Sequence, residues 1–180
     1  MSGISPDYGT RDALYNLGSV PWNVFDGTII PYEDTYESYL NAYNTRKAIS
    51  SPLTVTVLSK SLTATHAYLK VRVTLESGVA AGKKVHLFLW EDDVTAGSHT
   101  WRFIERAGTT RDLTVTAAAQ SQEFEHTFAV ESGWKQPDLG FCVLVQDTNG
   151  TKEVLNACAA AFSDVGVRPA SLGRVKASFQ

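Results

Sequence analysis

The sequence has 180 residues, of which 43 % are hydrophobic and 19 % are charged, and its formal net charge is −3. This length and composition predict one ordinary folded body with a real core, and they exclude a disordered chain. The sequence has no basic cluster typical of nucleic-acid binding, no apolar run of roughly 18 residues that could cross a bilayer, and no secretion signal in its opening residues, so we expect neither a nucleic-acid partner nor a transmembrane segment.

Residues 1–51 are predicted to form an arm that contains one amphipathic helix, from Glu33 to Lys47. Acidic residues at its start and basic residues at its end match the charge preference of helix termini. Tyrosines recur every three or four residues, which places them on one side of the helix; they are Tyr32, Tyr36, Tyr39 and Tyr43. Together with Trp22, this side predicts a stacking surface for a carbohydrate or a peptide. The alternative is a helix half-buried against the rest of the fold.

Residues 52–162 carry short runs in which apolar and polar residues alternate, the pattern of strands with one buried face. Two runs, Lys83–Trp90 and Phe141–Gln146, are apolar on both faces, and Lys83–Trp90 is predicted to be covered on both sides. The predicted strands lie around residues 55–57, 67–75, 83–90, 113–117, 124–128, 141–146 and 154–162. Because no helix separates successive strands, the pattern predicts a mainly β protein with an immunoglobulin-like antiparallel β-sandwich. Residues 163–180 are polar and are predicted to form a C-terminal extension.

Two cysteines, Cys142 and Cys158, lie on the last two predicted strands, which an Asn149-Gly150 turn joins as a hairpin. The cysteines are equally distant from Gly150, so a turn centred on that residue places them opposite each other. A cross-strand disulfide would indicate an oxidising compartment. Two buried free thiols are the alternative.

Residues that could carry chemistry are sparse. The most functional cluster is His99, Trp101 and Arg102, in a predicted loop where a structural role is the alternative. Glu91, Asp92 and Asp93 could hold calcium or lie solvated at a strand end. The sequence contains no zinc-binding histidine pattern, nucleophile elbow or phosphate-binding glycine loop, so we expect no enzyme activity, no metal and no cofactor.

The stretch Tyr15–Thr28 resembles the segment around the cis-proline of a thioredoxin-like domain, with Pro21 in the place of that proline. Further segments resemble the immunoglobulin-like sandwich that follows such a domain in a family of bacterial outer-membrane lipoproteins; they are residues 84–92, 99–103, 143–147 and 151–157. The resemblance implies that residues 1–51 correspond to the last part of a thioredoxin-like domain. It implies no redox activity, because the chain lacks Cys-x-x-Cys and the region before Tyr15 is too short for the first half of that fold.

These observations predict a non-catalytic, protein-binding or structural accessory subunit of an extracytoplasmic or surface assembly. Its expected partners are other protein subunits, in an oligomer or hetero-complex that is associated with a membrane. The resemblance favours the periplasm, the extracellular space or the cell surface, although no signal peptide is present. One alternative is a carbohydrate- or peptide-binding module that uses the tyrosine face. The other is a degenerate thioredoxin-like partner whose redox half lies on another polypeptide.

Overall fold

A computed structural model describes residues 14–15, 23–31 and 33–164. In this part of the chain no helix is both long and apolar enough to span a membrane. The main elements are helix α1 at Tyr36–Lys47 and the strands β1 Leu53–Leu62, β2 His66–Leu75, β3 Lys84–Glu91, β4 Val94–Ala96, β5 His99–Trp101, β6 Ile104–Asp112, β7 Ser121–Ala129, β8 Leu139–Gln146 and β9 Val154–Ala161.

The strands form two antiparallel sheets and a separate hairpin. One sheet has three strands in the order β1-β2-β7, and the other has four in the order β6-β3-β8-β9. Strands β4 and β5 pair only with each other. This arrangement confirms the predicted mainly β fold and its antiparallel β-sandwich.

Alternating side chains of the two sheets build the core. Along β2, every second side chain is at most 1 % exposed, as the alternation predicts: Ala67, Leu69, Val71, Val73 and Leu75. The four-stranded sheet faces them with fully buried side chains from β3 and β8: Val85, Leu87, Leu89, Leu139, Phe141, Val143 and Val145. Burial of these apolar surfaces is the main stabilising contribution to the fold.

Strand β3 is also covered on its second face, because large rings lie flat over glycines of the neighbouring strands. Phe88 is 6 % exposed, and its ring occupies the space that a Cβ on Gly108 would need. In the same way the Trp90 ring would lie 2.0 Å from a Cβ on Gly140. The prediction that β3 is apolar on both faces because both are covered is therefore confirmed.

The strand predicted over residues 113–117 is wrong. The fourth strand of the larger sheet is β6, which ends at Asp112, and residues 113–116 have no regular structure. Here the chain crosses from one sheet to the other, and its backbone hydrogen bonds go to separate segments: Leu113 N donates to Lys83 O, and Val79 N donates to Thr116 O. Leu113 is buried during the crossing, which explains its strand-like apolar pattern.

The predicted direct pairing of Cys142 with Cys158 is wrong by one residue. Cys142 lies opposite Ala159, and Cys158 lies opposite Val143, because the register shifts between Val145 and Gln146. A shift of one residue moves a side chain to the other face of a strand. Cys158 therefore points into the core and is 2 % exposed, whereas Cys142 lies on the outer face, and no disulfide links the two.

We expect mass spectrometry of protein purified without reductant to find two thiols that alkylate after unfolding. In the folded protein a small maleimide should label Cys142 first. Burial raises the pKa of the Cys158 thiol to about 12, and only the thiolate is an effective nucleophile. A mass that corresponds to an internal disulfide, or equal labelling rates for the two cysteines, would contradict this register.

Helix α1 begins three residues after the predicted start and ends at Lys47, as predicted. Its N-cap is Thr35, whose hydroxyl accepts a hydrogen bond from Ser38 N at 3.3 Å. Such a cap satisfies one of the backbone donors that a helix leaves free at its start. Glu33 and Asp34 therefore precede the helix and do not belong to its first turn.

A buried ion pair joins the helix to the sandwich. Arg46, 7 % exposed, donates to Asp26 Oδ2 at 3.3 Å and to Glu153 Oε1. Asp26 lies in a tight turn between Phe25 and Ile29, whereas Glu153 immediately precedes β9. The three side chains hold the helix, the turn and the β8–β9 connection together, and we call this contact the joint.

Backbone contacts strengthen the joint. Val154 N donates to Asp26 O at 2.8 Å, so the turn is hydrogen-bonded directly to the first residue of β9. Gly27 has a φ of 75°, and a Cβ at this position would lie 1.8 Å from the backbone oxygen of Lys152. Glycine is therefore required here both by its conformation and by the close approach of two backbones.

Candidate binding surface

The connection between β3 and β6 forms a two-stranded projection that we call the aromatic hairpin, residues 94–103. Gly97 and Ser98 make its two-residue turn, and Gly97 has the positive φ, 63°, that such turns require. The register pairs Val94 with Trp101. His99 and Trp101 lie two residues apart on β5 and therefore share a face, with ring centroids 6.1 Å apart.

Large side chains of the aromatic hairpin are exposed to solvent. Trp101 is 53 % exposed and Phe103 is 41 % exposed, and His99 is also on the surface. Scattered exposed apolar residues are normal on soluble proteins. Here, however, His99 and Trp101 share a face of β5, and a further exposed ring, Phe103, follows two residues later in the same projection.

An arginine–carboxylate pair fixes the base of the hairpin. Arg102 donates from Nε to Asp92 Oδ1 at 2.5 Å and from Nη2 to Asp92 Oδ2 at 2.6 Å. Asp92 also accepts a hydrogen bond from Phe103 N at 3.3 Å. The hydrogen bonds from Arg102 lower the pKa of Asp92 below its usual value, so this carboxylate stays charged. Bidentate pairs of this kind fix orientation as well as distance.

The ring of Phe103 is held from two sides. It lies edge-on against Trp90, with centroids 5.1 Å apart, and the Arg102 guanidinium lies 5.5 Å from its centroid. Its backbone has a φ of 52°, an uncommon conformation for a residue with a Cβ. These contacts position Phe103 at the junction between the hairpin and β6.

A buried carboxylate supports the hairpin from below. Glu91, the last residue of β3, is 2 % exposed. Its Oε2 accepts from Arg106 Nε at 2.8 Å, and its Oε1 accepts from Lys135 N at 2.9 Å. Arg106 also lies over the Trp134 ring, 5.7 Å from its centroid. Glu91 thus ties the start of the hairpin, strand β6 and the loop before β8 into one unit.

The calcium alternative for Glu91, Asp92 and Asp93 is contradicted by this geometry. Glu91 and Asp92 point to different arginines, and their carboxylates are used in those pairs. In the described ranges, no group of three or more His, Cys, Asp or Glu side chains could hold a metal ion. The expectation that the protein needs no metal or cofactor stays a prediction.

Only some of the residues predicted for the tyrosine face of α1 form one exposed surface in the described part of the chain. Tyr36 is 78 % exposed, Leu40 is 39 % exposed, and Tyr43 carries the Lys47 ammonium 5.4 Å from its ring centroid. These residues lie on one side of the helix, as the spacing predicts. Trp22 and Tyr32, the other predicted members, lie outside the described residues. The binding role of this face stays a prediction.

Tyr39 differs from the other tyrosines because its polar and apolar parts are both engaged within the chain. Its ring stacks on Phe25 at 5.8 Å between centroids. Its hydroxyl accepts a hydrogen bond from Asn23 Nδ2 at 2.8 Å and donates one to Asp34. The hydrogen bond to Asp34 raises the pKa of Tyr39 above its ordinary value. Tyr39 therefore contributes to the packing of the arm.

Sequence reasoning identified His99, Trp101 and Arg102 but missed the hairpin that presents them. It missed the role of Phe103, and it considered Asp92 as a calcium ligand and not as the partner of Arg102. A signal was present, because Gly97-Ser98 stands between the short runs 94–96 and 99–101, and a two-residue loop that starts with glycine is typical of hairpins.

No protein-family model matches the chain, and no curated protein matches it. Among solved structures, the chain is similar to HBP35 of Porphyromonas gingivalis, with a TM-score of 0.64 and 9 % identity. That alignment covers 89 % of this chain and 60 % of HBP35.

Two further structures align with a smaller share of the chain. A domain of the outer membrane lipoprotein Omp28 from Porphyromonas gingivalis has a TM-score of 0.43 and 16 % identity, over 61 % of this chain and 87 % of that domain. Beta-glucosidase 3B from Thermotoga neapolitana has a TM-score of 0.36 and 11 % identity, over 63 % of this chain and 16 % of the enzyme. The similarity to HBP35 shows a shared fold, and the chain spans less than two thirds of that protein.

Proposed function

We propose that this chain is a non-catalytic accessory or structural subunit that binds another protein through the aromatic hairpin. The observation that carries the proposal is the exposure of Trp101, 53 %, on a hairpin whose base is fixed by the Arg102–Asp92 pair. Tryptophan and arginine are the residue types most enriched where a few side chains supply most of the binding free energy.

The exposed rings and the fixed base of the hairpin support a role in binding and not a purely structural one. An indole left half in water forgoes part of the roughly 1.5–3 kcal/mol that burial of a large apolar side chain contributes. A partner that covers Trp101 and Phe103 would recover this contribution. Because Arg102, Asp92 and Trp90 already hold the hairpin, little conformational entropy would be lost on binding.

The proposed setting is an extracytoplasmic or surface assembly that is associated with a membrane. Support for this setting comes from the sequence resemblance to the outer-membrane lipoprotein family. In such an assembly the joint would orient the arm, because Arg46, Asp26 and Glu153 hold the arm on the sandwich. Surfaces on the arm and on the hairpin would then meet their partners with a defined geometry.

A second candidate function is carbohydrate or peptide binding by the tyrosine face of α1. The observation that favours it is Tyr36, which is 78 % exposed on the same side of the helix as Leu40. An exposed phenol ring can stack on a sugar, while its hydroxyl forms hydrogen bonds. A glycan array with the wild-type chain and a Tyr36→Ala variant separates this function from protein binding.

We expect the Trp101→Ala variant to lose its protein partner. The immobilised wild-type chain should retain an envelope protein of the organism that produces it, and the substitution should weaken that binding by at least about 2 kcal/mol, roughly 30-fold. Leu58→Ala is the matched control, because it shortens an exposed apolar side chain on β1, outside both candidate binding surfaces. If sedimentation finds the wild-type chain monomeric at every concentration and no envelope protein distinguishes the two variants, the proposed function is wrong.

A further inference from the structure

The turn between β8 and β9 contains a reactive pair of residues, Asn149 and Gly150. Both are exposed in the turn. The backbone nitrogen after an asparagine can attack the carbonyl carbon of that side chain, and glycine permits this most readily, since it has no side chain to obstruct the approach. Asparagine is for this reason among the thermally labile residues.

Asp147 restrains the attacking nitrogen. Its Oδ1 accepts a hydrogen bond from Gly150 N at 3.0 Å, and a Cβ on Gly150 would lie 2.5 Å from its Oδ2. The carboxylate is itself anchored by Lys83 Nζ, 2.9 Å from Oδ2, and both side chains are largely buried. A hydrogen bond to an anion makes the N–H group harder to deprotonate, and the nitrogen must give up this hydrogen bond before it can attack.

We propose that Asn149–Gly150 is a site of spontaneous succinimide formation whose rate is held down by Asp147. In the first step Gly150 N loses its proton to solvent and bonds to Asn149 Cγ. The bond from Cγ to Nδ2 breaks, and the amide group takes a proton from solvent and leaves as ammonia. Water then opens the cyclic imide at either carbonyl, which gives aspartate or isoaspartate without any oxidant or reductant.

The modification would act on the joint. The same turn leads to Lys152, whose backbone oxygen contacts Gly27 and accepts a hydrogen bond from Gln146 Nε2 at 2.7 Å. Glu153, the next residue, pairs with Arg46. Isoaspartate routes the main chain through the former side chain and lengthens it by one carbon, so Lys152 and Glu153 would shift relative to the arm. Conversion of Asn149 to isoaspartate is therefore a covalent change that loosens the arm from the sandwich.

The test follows conversion of Asn149 by peptide mapping and mass spectrometry after incubation of the full chain at neutral pH and physiological temperature. A synthetic peptide of residues 145–154 gives the unrestrained rate. We expect the wild-type chain to convert roughly tenfold more slowly than the peptide, because the turn must open first. Asp147→Asn should convert about fivefold faster than the wild type, since it removes the charge-assisted hydrogen bond. Asn149→Ser should remain unmodified at this position.

A second variant distinguishes the restraint of Gly150 N by Asp147 from a general loss of folding. Lys83→Gln releases the Asp147 carboxylate from its anchor without neutralising it. This variant should therefore convert Asn149 at a rate between those of the wild type and Asp147→Asn. Circular dichroism checks that each variant is folded. If the wild-type chain converts as fast as the peptide, or both folded variants convert at the wild-type rate, the restraint by Asp147 is overturned. If neither the peptide nor any protein converts, the site itself is overturned.

Discussion

Replacing Glu91 by alanine is expected to lower the free energy of unfolding by about 3–4 kcal/mol, because loss of one partner leaves a buried charge uncompensated. Arg106 would lose the carboxylate that accepts from its Nε at 2.8 Å, and Lys135 N would lose its acceptor at 2.9 Å. Urea denaturation followed by circular dichroism measures the change.

Glu76→Ala is the matched control for this prediction, because Glu76 is an exposed residue of the same type. We expect the control to change the free energy of unfolding by less than about 0.5 kcal/mol. The double variant Glu91→Met with Arg106→Met should be more stable than Glu91→Ala, since it removes both charges together. Equal midpoints for Glu91→Ala and Glu76→Ala would show that the buried pair does not stabilise the base of the hairpin.

Replacing Gly27 by alanine is expected to separate the arm from the sandwich. The new Cβ would lie 1.8 Å from the backbone oxygen of Lys152, and neither backbone can move cheaply. The positive φ of 75° adds strain for any residue other than glycine. Together these effects should cost about 3 kcal/mol of docking free energy, on the scale of overpacking and left-handed strain.

Limited trypsin digestion measures this opening at Arg46, since a side chain buried in an ion pair is cleaved only when the joint opens. A cost of about 3 kcal/mol predicts cleavage roughly a hundredfold faster than in the wild type. Gly133→Ala is the control, because nothing lies within 4 Å of a Cβ at that position. Unchanged cleavage at Arg46 in Gly27→Ala would mean that the arm is not held by this contact.

The strands that were predicted well are those whose sequence directly encodes burial. β2 alternates strictly because one face packs into the core and the other is wet. β3 reads as apolar on both faces because its outer rings, Phe88 and Trp90, pack over glycines of the neighbouring strands. β6 was missed because it is an edge strand with polar residues on both faces, so its sequence carries no periodic signal.

Other features depend on geometry that the sequence does not encode locally. The shift between Val145 and Gln146 inserts one residue into the pairing of β8 with β9, which separates Cys142 from Cys158 even though the turn itself was recognised. The joint links Arg46 to Glu153, residues 107 positions apart. Neither residue stands out in its own segment, and only the folded chain brings them together.

The candidate surface on the aromatic hairpin could be predicted from the sequence only in part. Trp101 and its neighbours were recognisable by residue type, and the Gly97-Ser98 turn could have revealed the hairpin. The pairing of Arg102 with Asp92 bridges ten residues and required the fold. The tyrosine spacing places Tyr36 and Tyr39 on one side of α1, but it does not tell that Tyr36 is exposed while Tyr39 stacks on Phe25.

Site-specific photo-crosslinking in intact cells tests the binding role of the aromatic hairpin most directly. A photoreactive phenylalanine replaces Trp101 in one variant and Leu58, 37 % exposed on the three-stranded sheet, in the other. We expect one discrete crosslinked species from position 101 that position 58 does not give. The yield of this species should fall when wild-type chain without the photoreactive residue competes for the partner. The absence of any crosslink specific to position 101 would contradict the account.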